Sequence, residues 1–310
     1  MKTILPGATI GILGGGQLGR MIAIEAKKMG YFVICLDPNP YSPAGQVADD
    51  QIGASFSDLT AALQLAERCD VVVYEFENVD AQVAEHLEKK GVLPQGSRIL
   101  KIAQDRIIEK TAIAAEGYPV APFIAVENGD KLVFATGQIG LPCVLKSARG
   151  GYDGKGQRIL REQADVFSAA QEVSASGRQW VLEKYLSLIG EVSVIVARKE
   201  SGEVRTFPVA ENTHRNNILH TTVVPTVLRE ELQNEAKRIA IGLAECFAIV
   251  GLLAVEFFVT SEGLIVNEIA PRPHNSGHFT FDACFTSQFE QMIRAVTNLP
   301  FGSVELLYPA

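Results

Sequence analysis

Apolar and polar residues alternate along the first hundred positions in blocks that read strand, then helix. Thr9-Ile-Gly-Ile-Leu13 is a short apolar run and predicts a strand. After a glycine turn, Leu18, Met21, Ile22 and Met29 recur at helical spacing, and Gly30 closes that helix. Tyr31 to Leu36 and Asp70 to Tyr74 predict further strands, whose continuous Val/Ile/Leu character suits a parallel sheet buried on both faces. Asp80 is placed to cap a helix that ends at Gly91. This alternation predicts a right-handed, doubly wound α/β unit.

From Ser97 the pattern changes. Residues 97–116 read as one helix, after which Pro119 and Pro122 break the chain. Strands are expected at 142–146, 158–160 and 179–186, with one helix near 162–174. Further strands are expected at 191–197, 204–210 and 220–224, then a helix at 229–247, a hairpin at 252–269 and a helix at 287–298. The second part therefore reads as α+β, and the fold class as α/β plus α+β.

The 310 residues allow about two domains or three small ones. Hydrophobic residues at 47% and charged residues at 21% exclude disorder, collagen-like repeats and coiled coil. Lys and Arg number 28 against 36 Asp and Glu, a net charge of −8 with no basic stretch, so no nucleic-acid surface is expected. The five cysteines (Cys35, Cys69, Cys143, Cys246, Cys284) are scattered and lack a C-x-x-C pair. They read as reduced core thiols of a cytoplasmic protein. Neither a signal peptide nor the roughly 18 apolar residues of a membrane span are found, and a soluble protein is the expectation.

Gly14-Gly-Gly16-Gln-Leu-Gly19 fits G-x-G-x-x-G between a strand and a helix, and Asp37 ends the next strand where a ribose-binding acid would sit. The turn can serve a dinucleotide, hold another anion at the helix N-terminus, or simply need glycine for its backbone. Tyr74-Glu-Phe-Glu-Asn78 lies at the carboxyl end of a buried strand, where ligands of open α/β sheets bind; a solvated turn is the alternative. Arg149-Gly-Gly-Tyr-Asp-Gly-Lys-Gly156 puts backbone N–H groups and Lys155, with Lys146 upstream, around a phosphate more readily than it makes a mere hairpin loop.

The hairpin from Leu253 to Ile269 carries Glu256 and Glu268 in otherwise apolar strands. A three-residue loop, Ser261-Glu262-Gly263, pairs Thr260 with Leu264 and sets the two acids opposite each other. Facing, partly buried carboxylates call for a cation, and Mg²⁺ suits them. A loop of two or four residues would instead send them to opposite faces. Ala270-Pro-Arg272-Pro-His274-Asn-Ser276-Gly-His278 follows, with donors suited to a small planar anion.

These strings resemble the ATP-grasp superfamily. The carriers are Gly151–Gln157, Glu183-Lys-Tyr-Leu186, Glu256 and Asn267-Glu268. Within it, residues 14–21, 74–79, Glu211-Asn-Thr-His214 and 267–278 resemble the 5-(carboxyamino)imidazole ribonucleotide synthetases of purine biosynthesis, from residue 8 to the end of the chain. The resemblance implies a doubly wound pre-ATP-grasp domain over 1–103, a lid domain with its lead-in helix over 104–186, and a large domain over 187–310 that includes the start of a truncated C-terminal domain. It implies a homodimer in which ATP phosphorylates bicarbonate and 5-aminoimidazole ribonucleotide is then carboxylated.

It further implies that Arg106, Lys146, Gly151, Tyr152, Asp153, Gly154, Lys155, Gly156 and Gln157 surround ATP phosphates. Glu183, Lys184, Tyr185 and Leu186 would meet adenine, Glu191 the ribose, and His214 and Asn267 would lie nearby. Glu256 and Glu268 would bind Mg²⁺. Arg272, His274, Asn275 and Ser276 would hold bicarbonate or carboxyphosphate, with Asp153, Arg272 and His274 catalytic. Gln17, Leu18, Glu75 and Asn78 would hold the ribonucleotide. The competing readings are an NAD(P)-dependent oxidoreductase using Gly14–Gly19 and Asp37, a non-catalytic nucleotide-binding module, and a formate-dependent transformylase of the same superfamily.

Overall fold

A computed structural model describes residues 2–150 and 156–310. The chain begins with β1 (Thr9–Leu13), α1 (Gln17–Lys28), β2 (Phe32–Leu36), β3 (Asp50–Ile52), α2 (Leu59–Arg68), β4 (Val71–Tyr74) and α3 (Ala81–Lys89). The strands run parallel in the order β3-β2-β1-β4. Ile10, Ile12, Val33 and Val73 enter one apolar core, while Leu13, Ile34, Val72 and Tyr74 enter another. Burial on both faces is why these strands carry no polar alternation. The Asp80 carboxylate caps α3 by accepting from the N–H groups of Gln82 and Val83, and Gly91, at φ +77°, follows its end.

Residues 97–116 form two helices rather than the one expected, α4 (Arg98–Ala103) and α5 (Arg106–Ala115). Asp105 interrupts them in an extended conformation, its carboxylate accepting from Ile107 and Ile108. A side chain that satisfies the free N–H groups of a new helix competes with continuing the old one.

The next unit comprises β5 (Phe123–Val126), α6 (Gly129–Ile139), β6 (Cys143–Ser147), β7 (Gln157–Leu160), α7 (Gln163–Ser176) and β8 (Trp180–Lys184), with sheet order β5-β8-β6-β7. Its β5 and α6 were not expected from the sequence, where prolines 119 and 122 read as loop. The third unit holds β9 (Gly190–Arg198), β10 (Val204–Thr206), β11 (Ala210–Arg215), β12 (Ile218–Val223), α8 (Glu230–Cys246), β13 (Gly251–Thr260), β14 (Gly263–Ala270), the short α9 (Thr280–Ala283) and α10 (Gln288–Val296). The strand expected at 204–210 ends at Thr206, and a separate strand starts at Ala210, past Pro208.

The third sheet runs β12-β11-β9-β13-β14, with β10 beside β9. One face buries Val194, Val196, Leu253 and Val255 with Ile239 and Leu243 of α8. The other buries Ile195, Ala197, Leu252 and Ala254 with Phe289 and Met292 of α10, and this core continues into Ile10 and Ile22 of the first unit. Four cysteines are buried, but Cys246, at the end of α8, is exposed and not the core thiol expected. Among the described residues no helix is long and apolar enough to cross a membrane.

α6 and α7 approach closely at Gly129, where a Cβ would lie 2.5 Å from the Ala170 carbonyl oxygen. Backbone cannot yield there as a flexible side chain can. Gly129→Ala is expected to destabilise the protein by about 1–3 kcal/mol, the usual penalty of overpacking. Urea unfolding checks this, and an unchanged midpoint would show that the two helices part freely.

Candidate active site

A cavity of about 400 Å³ is lined by residues from all three units. Its chemistry centres on the β13–β14 hairpin. Thr260 pairs with Gly263, so the loop has two residues, Ser261 and Glu262, not the three expected. Continued without interruption, that register would oppose Glu256 to Asn267 and turn Glu268 to the other face. A bulge intervenes. Phe257 pairs with Val266, Glu256 pairs with Glu268, and Asn267 is the extra residue. The two acids do face each other, by a different route from the one the sequence suggested.

Burial, then the charge of Glu268, pushes the Glu256 carboxyl above the usual range. Burial acts the same way on Glu268, but Arg106 outweighs it: its Nη1 donates to Glu268 Oε2 at 3.0 Å and holds that carboxyl low. Asn267 Oδ1, which lines the same cavity, is buried without a hydrogen-bond partner among the described residues. Two opposed carboxylates and an orphaned amide oxygen form a hard oxygen set that fits Mg²⁺. Among the described residues no group of three or more His, Cys, Asp or Glu could hold a metal by itself.

Beside the pair, Lys146 Nζ donates to Glu183 Oε2 at 3.0 Å, and Lys110 Nζ lies 3.4 Å from Glu183 Oε1. Burial works against the Glu183 charge, yet these two ammonium groups hold its pKa below the ordinary value. Burial lowers that of Lys146, with Glu183 opposing. Gly156, Gln157, Lys184, Tyr185, Leu186, Glu191, His214 and Asn78 also line the cavity. Gly151, Tyr152, Asp153, Gly154 and Lys155 lie outside the described residues.

In the loop after β14, Arg272 and Asn275 line the cavity, and Arg272 Nε donates to Glu77, a partner the sequence reading missed. His274 Nε2 lies 3.4 Å from Glu256 Oε1, and its Nδ1 is 2.9 Å from Ser276 Oγ. Burial first, then Arg272, pushes this imidazole down to about 4, so it is neutral at pH 7. Ser276 departs from expectation. It is fully buried, with its hydroxyl accepting from Ser193 at 2.8 Å, and it does not reach the cavity.

Gln17, Leu18 and Glu75 do not line it either. Glu75 is buried behind the glycine turn, and its two carboxylate oxygens accept from the N–H groups of Gly16 and Gly19. Asp37 accepts from Gly15 at 2.7 Å and from Asn39 at 2.8 Å. The turn therefore binds anions as expected, but they are the chain's own carboxylates, and Asp37 is committed to backbone rather than to a cofactor ribose. Gln17 Nε2 sits 3.2 Å from His278, and Leu18 packs on the core. Glu109 and Lys110 were also missed, though Arg106, Glu109, Lys110 and Ile113 fall on one helical face, and a charged stripe on a buried face was the available signal.

Comparison with known proteins agrees with this geometry. The ribonucleotide synthetase preATP-grasp domain matches residues 7–104, and the ATP-grasp domain matches 111–289. N5-carboxyaminoimidazole ribonucleotide synthase of Bacillus subtilis (strain 168) is 50% identical over 309 residues, covering 99% of this chain and 81% of its own. The chain belongs to the N5-carboxyaminoimidazole ribonucleotide synthase family. A Staphylococcus aureus N5-carboxyaminoimidazole synthetase solved with ADP superposes with TM-score 0.96 at 41% identity, over 100% of this chain and 82% of that one. The Aspergillus clavatus synthase solved with ADP and 5-aminoimidazole ribonucleotide gives 0.90 at 29%, over 97% and 80%. Membership of this synthase family replaces the oxidoreductase reading of the glycine turn.

Glu191 Oε2 lies 3.0 Å from His214 Nδ1, and this contact, against the opposing effect of burial, raises the imidazole pKa above its ordinary 6.5. A raised imidazole stabilises the fold fully below pH 6.5 and loses that contribution as pH rises through the folded value. An NMR titration is expected to place the His214 midpoint above 6.5 and to find it lower in Glu191→Gln. Equal midpoints in the two proteins would refute the assignment.

Proposed function

We propose that this protein carboxylates the amine of 5-aminoimidazole ribonucleotide with bicarbonate, using ATP and Mg²⁺, to give N5-carboxyaminoimidazole ribonucleotide, ADP and phosphate in purine biosynthesis. The observation that carries the reading is the opposed Glu256–Glu268 pair with Arg106 and Lys146 around one cavity. The ADP and 5-aminoimidazole ribonucleotide bound to relatives of the same fold support it.

In this reaction a bicarbonate oxygen attacks the γ-phosphorus of ATP, ADP departs, and the carboxyl group of carboxyphosphate passes to the amine, which loses a proton as phosphate leaves. Arg106 and Lys146 bind and orient the phosphate chain, and the glycine-rich motif at 151–157 is assigned to the same phosphates. Glu183, Lys184, Tyr185 and Leu186 receive adenine, Glu191 the ribose hydroxyls, with His214 beside it. Glu256, Glu268 and Asn267 would hold Mg²⁺, which when bound neutralises charge on the transferring phosphoryl group. Arg272, neutral His274 and Asn275 hold bicarbonate and carboxyphosphate, and Asn78 the ribonucleotide, to which Asp153 is also assigned by its motif. Glu75 serves this site by fixing the glycine turn.

The domain division at 103/104 and 186/187, a cytoplasmic location and a homodimer belong to the same proposal, on the strength of family membership and motif placement.

Phosphate release from ATP is expected to require both bicarbonate and 5-aminoimidazole ribonucleotide. Nucleotide binding with no turnover under any combination would instead make the protein a binding module. Glu268→Gln is expected to cut Mg²⁺-dependent turnover by about 10²–10³-fold, the loss typical of removing one preorganised electrostatic group, with the melting temperature little changed. Near-normal turnover in that variant would count against Glu268 as a metal ligand.

A further inference from the structure

The pairing of Glu256 with Glu268 depends on the bulge, and a bulge leaves backbone groups that the partner strand cannot satisfy. β14 is the edge of its sheet, so its outward polar groups need partners from elsewhere. In a regular strand such groups recur every second residue. Here the Val266 N–H donates to the Pro119 carbonyl at 2.8 Å, as an outward residue should. One residue on, the Asn267 carbonyl already accepts from Lys110 Nζ at 3.1 Å, and the Ile269 N–H donates to Glu109 Oε1 at 2.7 Å. The outward set thus shifts from even to odd positions across the bulge. The two groups displaced by the shift are met by neighbouring side chains of α5, and Glu109 and Lys110 are only 2% and 1% exposed.

We propose that Glu109 and Lys110 are positioning residues that clamp the β14 bulge and so keep Glu268 opposite Glu256. The clamp is one acceptor and one donor, matched to one free N–H and one free carbonyl. Lys110 also reaches Glu183 on β8, which ties the strand beside adenine to the strand carrying the acids. The link to metal binding rests on the assignment of Glu256 and Glu268 as Mg²⁺ ligands; the clamp itself does not.

Two readouts separate these layers. Amide hydrogen exchange over residues 264–270 tests the clamp without metal. Calorimetry of Mn²⁺ binding in the presence of ADP, set against ADP binding without metal, tests its consequence. Glu109→Leu and Lys110→Met are expected to speed exchange over this segment and to weaken Mn²⁺ binding by about tenfold or more, the range seen when groups supporting metal ligands are removed. Metal-free ADP binding in Glu109→Leu is expected to stay within about twofold of the parent, a change well below that range. Glu109→Gln keeps an acceptor for the Ile269 N–H and is expected to behave like the parent in both readouts. Unchanged exchange in the two apolar variants overturns the proposal, as does a Glu109→Gln variant that falls as far as Glu109→Leu. If the apolar variants do not fold, Glu109→Gln decides: retained protection sustains the clamp, and its loss overturns it. Faster exchange in the apolar variants with no Mn²⁺ binding even by the parent would sustain the clamp and remove the metal assignment instead.

Discussion

Two carboxylates opposed on adjacent strands repel each other, and burial makes the repulsion worse because less water screens it. Arg106, beside Glu268, offsets part of that repulsion. Arg106 starts α5 because Asp105 breaks the preceding helix, and from there its guanidinium reaches Glu268. The Asn267 bulge supplies the register, and its amide oxygen adds a third hard donor without a hydrogen-bond partner among the described residues. An arrangement of this kind is unfavourable for an isolated hairpin and becomes favourable once a divalent cation joins it.

The remaining charges are paired in the same economical way. Glu183 lies between Lys146 and Lys110, Arg272 against Glu77, and His214 against Glu191. Arg106, Lys146 and Arg272, which line the cavity, are each already oriented by a carboxylate. On the proposed function, ATP phosphates and bicarbonate then meet donors whose rotamers are largely set, so little side-chain freedom is lost on binding. The same pairing keeps a cluster of buried charges compatible with a stable fold, since an unpaired charge at such depth is costly.

The glycine turn after β1 illustrates how one local pattern serves different ends. Its N–H groups at the start of α1 form an anion site by geometry alone. Here Asp37 and Glu75, from the ends of the two strands that flank β1, fill it. A pattern that holds a pyrophosphate elsewhere therefore stiffens the floor of the first unit, close to where β14 and the 272–275 loop approach it through the Arg272–Glu77 contact.

Local physics made much of this legible from the residues alone. The parallel strands are continuous apolar runs, α3 is bracketed by Asp80 and Gly91, and the acidic hairpin and the motifs around it stand out by composition. Those features depend on nearest neighbours along the chain and on backbone preferences that each residue carries wherever it sits. What the sequence could not decide was how the chain closes on itself. The loop length of the β13–β14 hairpin and the bulge that compensates for it were invisible, because a one-residue shift leaves the amino-acid order unchanged. The burial of Ser276 against Ser193, the capture of Glu75 and Asp37 by backbone, and the service of Glu109 and Lys110 to a strand some 160 positions away belong to the same class. Each is a hydrogen bond whose partner is chosen by packing of distant elements, and only the tertiary structure brings such partners within reach.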